Sequence, residues 1–210
     1  MTERGKADEF AHAREILERL DIPLYVIPGN RDGRGGMRRA FADHDYLPRG
    51  GGFMSYTLEH YPVRLVALDS LEAGSPMGHV CEARLAWLDT ALASQADRPT
   101  ILIMHHPPFE VAADHPFAFH DKASADALST VVSEHRQVIR VLCGHVHRPG
   151  QVSWGGTIAS TTPCVAGDLR KGPDLQGADG QPVDGSPVYE IHTVRPDGRI
   201  ESTLQVVRTA

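Results

Sequence analysis

The chain has 210 residues, 41% of them hydrophobic and 23% charged, enough for one domain with a sizeable core. Lys and Arg number 21 against 27 Asp and Glu, and the resulting formal charge of −6 argues against a nucleic-acid polymer or an anionic membrane as partner. No apolar run reaches the ~18 residues that cross a bilayer, the first ten residues lack the apolar core of a secretory leader, and Cys81, Cys143 and Cys164 are too few and too scattered for a disulfide framework, so the cytoplasm is the expected compartment.

Residues 7–20 place Phe10, Ala13, Ile16, Leu17 and Leu20 at helical spacing, which predicts an amphipathic surface helix. LYVIPG, 24–29, reads as a short buried strand ending in a turn. The Gly- and Arg-rich stretch 31–52 has no clear period and reads as loop with one helical turn. A second apolar run, VRLVALDS (63–70), predicts a strand, and CEARLAWLDTAL predicts a helix with Leu85, Leu88 and Leu92 on one face. TILIMHH (100–106) is a third strand stopped by Pro107 and Pro108, which cannot continue a ladder. Lys122 to His135 is helical, with Leu128, Val131 and Val132 inward, and VIRVLCGH (138–145) is a fourth strand. Strands alternating with helices predict an α/β layered fold. Beyond residue 150, QVSWGGTIAS and the VYEIHTV…RIESTLQVV pair read as hairpins, separated by a long irregular loop over 166–187.

Three polar clusters each follow a predicted strand: Pro28-Gly29-Asn30-Arg31-Asp32, His105-His106-Pro107-Pro108, and Gly144-His145-Val146-His147-Arg148. Ligands gather outside the carboxyl ends of strands in open α/β sheets. Neutral imidazole suits first-row metal ions, and an amide oxygen adds a hard neutral ligand. In an extended segment His145 and His147, at i and i+2, point the same way. Asn30 is the single asparagine of the chain. Taken singly, Asn-Arg-Asp also suits a turn and His-His-Pro-Pro an exposed strand terminus; the three together in this order favour a metal site.

These motifs, PGNRD, HHPPF and CGHVHR, resemble those of the calcineurin-like metallophosphoesterases, nearest to the bacterial class III phosphodiesterases that cleave cyclic nucleotides or glycerophosphodiesters. GHVCEARLAWLD (78–89) and RVLCGHVHRP (140–149) extend the likeness. The resemblance implies two packed mixed β-sheets flanked by helices, a four-layer sandwich with a pair of divalent or trivalent ions at the strand ends. Fe, Mn, Zn or Co would serve. It implies hydrolysis of small phosphodiesters by a hydroxide generated at that two-metal site. Asn30, His105 and His145 would bind one ion and His147 the other; His105 is preferred to His106 because the family pattern is His, any residue, Pro. His106 would then neighbour the substrate. Arg31 stands where relatives carry His, and it would brace phosphate without donating a proton near neutral pH.

The family's Asp-x-His and Gly-Asp motifs have no suitable counterpart, and TERGKADEF resembles the segment that follows Gly-Asp. The expectation is a single domain over 1–210 lacking its first strand–helix–strand unit, at least about 30 residues. Without those carboxylates, at most one weakly held ion and impaired hydrolysis are expected. The alternatives are an inactive binding or regulatory module and a half-site completed by another chain. An exposed sheet edge would also favour homo-oligomers.

Overall fold

The computed structural model describes residues 1–113, 117–166 and 186–207. Most of the loop expected over 166–187 lies outside the described residues, as does His115. In chain order the elements are α1 (Ala7–Leu17), α2 (Arg34–Ala40), β1 (Tyr56–Leu58), β2 (Arg64–Leu68), α3 (Glu82–Ala93), β3 (Thr100–Met104), α4 (Lys122–Glu134), β4 (Val138–Cys143), β5 (Gly150–Trp154), β6 (Thr157–Thr161), β7 (Val188–Val194) and β8 (Ile200–Val206). Six strands form one mixed sheet in the order β1-β2-β3-β4-β6-β5, and β7 and β8 form a separate antiparallel pair. Within the larger sheet β2, β3, β4 and β6 are parallel, whereas β1 and β5 are antiparallel edges. Among the described residues no helix is long and apolar enough to cross a membrane.

The parallel strands are apolar runs because both faces are covered. Val66, Leu68, Leu102, Met104, Val141 and Cys143 point toward Leu88 and Leu92 of α3 and Leu128 and Val132 of α4. Each such fully buried side chain contributes about 1.5–3 kcal/mol. α4 starts where Asp121 Oδ1 accepts from the Ser124 amide at 2.7 Å, an N-cap that satisfies one open donor of the first turn. On the opposite face, Leu65, Ile101, Ile103 and Leu142 line a groove of about 750 Å³ that reaches Tyr25 on one side and His192 and Val194 of β7 on the other. Buried Arg140 bridges the two sheets, donating to Ser160 Oγ at 3.2 Å and to the Ile200 carbonyl at 3.4 Å.

Three expectations require correction. Residues 24–29 form no strand and join no ladder. The Val26 amide donates to the Tyr46 hydroxyl at 2.9 Å and its carbonyl accepts from the Tyr56 hydroxyl at 3.1 Å, so side chains meet backbone groups that a neighbouring strand would otherwise meet. The Gly-Arg stretch contains a seven-residue helix, α2. It seats against α1 at Gly36, where a Cβ would stand 2.5 Å from the Phe10 ring. Finally, α1 ends at Leu17, and Ile16 and Leu20 are 51% and 49% exposed; its inward anchor is Phe10.

Candidate metal centre

The register aligns Leu68 with Met104 and Met104 with Cys143, so the residues after these three strands emerge side by side. Ser70 follows β2, His105 and His106 follow β3, and Gly144 to His147 follow β4. The Gly144 amide donates to the His105 carbonyl at 3.0 Å, carrying the pairing one step past the strands. Sequence pattern alone thus brings the second and third polar clusters to one edge.

The ring nitrogens of His105, His106 and His145 come within 4.8 Å of one another. Their ring centroids are 4.7 Å apart for His105–His106, 5.2 Å for His105–His145 and 4.7 Å for His106–His145. Asn30 joins from the first cluster, with Oδ1 3.1 Å from His105 Nε2. Burial first, and then His145, the Met1 ammonium and His147, push His105 down to about 3. Burial, then His105 and His145, push His106 down to about 2. Both rings are therefore neutral near pH 7, the form in which imidazole ligates a metal.

His106, expected beside the substrate, is fully buried. Its Nδ1 is 2.9 Å from Ser70 Oγ, and its amide donates to the same oxygen at 3.2 Å. Its Nε2 is buried with no hydrogen-bond partner. An orphaned buried nitrogen amid two further imidazoles and an amide oxygen fits a metal ion. Among the described residues, this group of possible ligands contains no carboxylate.

Close packing depends on two glycines. A Cβ at Gly78 would fall 2.5 Å from His106 Cβ, and one at Gly29 would fall 3.0 Å from His105 Cε1. Neither Ser70 nor Gly78 stands out in the sequence, although Ser70 lies just past β2 much as His106 lies just past β3.

The His145–His147 segment is not extended. Both residues have positive φ, 68° and 56°, and the Val146 amide donates to the Gly144 carbonyl at 2.8 Å, closing a γ-turn over His145. Positive φ in a non-glycine residue costs on the order of 1–3 kcal/mol and persists where surroundings enforce it; here buried Val146 is held between the two histidines. The two-residue spacing therefore does not place both rings on one side of a strand. His147 falls outside the three-histidine group, but it is near enough to His105 to lower that ring's proton affinity.

Asp32 is 3% exposed and accepts from the amides of Gly29 at 3.0 Å and Thr2 at 2.9 Å and from Thr2 Oγ1 at 2.7 Å, with the Met1 ammonium 3.3 Å away. It fixes the turn that presents Asn30. Arg31 is exposed, and its carbonyl accepts from Thr2 Oγ1.

Comparison with known proteins fits this geometry. The calcineurin-like phosphoesterase family profile matches residues 1–149, which include Asn30 and all four histidines of the strand ends. A probable glycerophosphodiester phosphodiesterase, GpdQ of Arcobacter nitrofigilis, is 33% identical over 81% of this chain and 64% of its own length. The 3′,5′-cyclic adenosine monophosphate phosphodiesterase CpdA of Escherichia coli is 31% identical over 74% of this chain and 55% of its own length. The chain thus spans about three-fifths of the curated relatives it matches. The crystal structure of a dimetal phosphatase from Danio rerio shares the fold with a TM-score of 0.58 at 17% identity, covering 79% of this chain and 68% of that one. A profile that runs through every strand-end cluster, backed by a relative one-third identical over four-fifths of the sequence, places the molecule: the chain belongs to the calcineurin-like phosphoesterase family.

Proposed function

We propose that this chain carries a metal-dependent site for hydrolysing small phosphodiesters, of the cyclic nucleotide or glycerophosphodiester type, in the cytoplasm. The supporting observation is the orphaned His106 Nε2 within a group of three imidazoles beside Asn30. His105, His145 and Asn30 would hold one ion, as the motifs imply, with His106 completing the imidazole set. His147 would serve a second, weaker position. When bound, an ion such as Fe, Mn, Zn or Co supplies Lewis acidity toward phosphoryl oxygens.

The remaining work falls to the protein's own groups. Ser70 fixes the ring orientation of His106, and Asn30 does the same for His105. Arg31, exposed beside Asn30, offers its guanidinium to negative charge on the substrate. The test is turnover of bis(4-nitrophenyl) phosphate with each metal added in turn. Hydrolysis that is abolished by chelator and absent in His105→Ala and His145→Ala supports the reading.

The lack of a carboxylate in the cluster among the described residues favours a second reading, a half-site or phosphate-binding module within a single domain over 1–210. The edge strand β5, whose side chains alternate between half-buried and exposed, would then offer a surface for another copy. Metal and phosphate binding without turnover distinguishes it from the first.

A further inference from the structure

A cleft of about 360 Å³ adjoins the imidazole cluster through Asn30, which lines it and also reaches His105. Its walls come from three separate stretches: Arg4 and Gly5, the loop from Asn30 to Arg34, and the turn after β2 from Leu71 to Gly74. Three guanidiniums and one carboxylate border it. Asp32 is turned inward and held by Gly29, Thr2 and the Met1 ammonium. Arg34 is matched by buried Asp69, to which it donates twice, at 2.6 and 2.9 Å.

Arg4 and Arg31 remain. Arg31 is exposed and has no ion-pair partner among the described residues. The Arg4 guanidinium stands 3.9 Å from Glu3, with the two side chains 66% and 77% exposed, a pairing that contributes little, and Glu9 Oε2 accepts from the Arg4 backbone amide at 3.0 Å. Both guanidiniums stay charged at any working pH. One weakly paired and one unpaired guanidinium on one concave surface concentrate positive potential there, and Arg forks suit phosphate and carboxylate oxygens. The scissile phosphate belongs at the imidazoles, so the cleft on the other side of Asn30 has room for a further group of several atoms.

We propose that this cleft receives a second anionic group, phosphate or carboxylate, carried on one ester arm of the substrate. Arg4 and Arg31 are then specificity-determining residues, favouring phosphodiesters with a second anion over those without one, including cyclic nucleotides. The inference rests on the phosphodiester reading of the adjoining site and narrows its substrate class.

Calorimetry on the metal-free chain at about 0.15 M salt, near physiological screening, tests it without any need for turnover. The probes are propyl phosphate, 1,3-propanediol bisphosphate and 3-carboxypropyl phosphate, which share a three-carbon arm; comparing the last two separates phosphate from carboxylate. At least one two-anion probe is expected to bind about tenfold tighter than propyl phosphate. Arg4→Gln/Arg31→Gln should bind all three alike, with an unchanged melting temperature, while Arg199→Gln on the β7–β8 hairpin keeps the preference. Equal binding of the three probes by the unaltered chain, or a preference that survives in the double variant, overturns the proposal. An inactive chain that retains the Arg-dependent preference overturns the hydrolase reading alone, and an active chain without the preference overturns the cleft alone.

Discussion

Asn30 Oδ1 stands 3.1 Å from His105 Nε2, joining two loops 75 residues apart in sequence. The amide reaches the cluster from a separate loop, whereas Ser70 holds His106 from just past β2, so removing the amide should act on metal binding more than on folding. Asn30→Ala is expected to lower Mn²⁺ affinity about 10–100-fold in calorimetry, the usual cost of losing a group that ligates or orients a ligand. Unchanged affinity would exclude Asn30 from the site.

Acid should destabilise the metal-free chain through His105 and His106. Their ordinary value is 6.5, and the fold holds them at about 3 and about 2. Between 6.5 and those values the unfolded chain carries protons that the native rings refuse, so stability falls as pH drops through the window. Two such groups give a slope of up to about 2.7 kcal/mol per pH unit. Urea melts with chelator at about pH 7 and about pH 5 measure it, and the double variant His105→Gln/His106→Gln should show a visibly flatter profile.

Gly78→Ala forces a methyl to within 2.5 Å of His106 Cβ and 2.6 Å of its Cγ. With His106 fully buried and fixed by Ser70, the ring has no free volume to enter. A loss of about 1–3 kcal/mol is expected, together with weaker metal binding. Gly50→Ala, with nothing within 4 Å of the added atom, should stay within about 0.5 kcal/mol. Equal melting temperatures for the two variants would show that the Gly78 contact yields without cost.

Asp69 is wholly buried and accepts from Arg34 Nε and Nη2, the Met54 amide at 2.8 Å and the Leu71 amide at 3.0 Å. Asp69→Ala strands a largely buried guanidinium and two amides. Denaturant unfolding should show a loss of about 3–5 kcal/mol. A loss below about 1 kcal/mol would mean that water reaches Arg34 and replaces the carboxylate.

Legibility followed the range of the forces involved. β2, β3 and β4 were readable because a short apolar run bounded by Pro, Gly or polar residues has few other homes. Residues 24–29 have the same pattern, yet their backbone bonds go to Tyr46 and Tyr56, 20 and 30 residues from Val26, and no local pattern encodes that choice. α2 is masked by Gly35 and Gly36, poor helix formers in isolation; Gly36 is there because Phe10 leaves no room for a larger residue. The strand-end clusters were legible as residue types, and the sheet does gather His105, His106 and His145. The Ser70–His106 contact spans 36 residues and becomes visible only when parallel register sets β2 beside β3. The orientation of His145 and His147 departs from the i, i+2 rule because a γ-turn replaces the extended backbone that the rule assumes.

That turn has a mechanical consequence. Val146 is 2% exposed, and the residues on both sides of it sit in the left-handed region. Its buried isopropyl group anchors the turn from between the two histidines, like a peg set between two arms. Both rings would be released together if it came out, and trimming an apolar side chain that touches no substrate would loosen two candidate ligands in a single step.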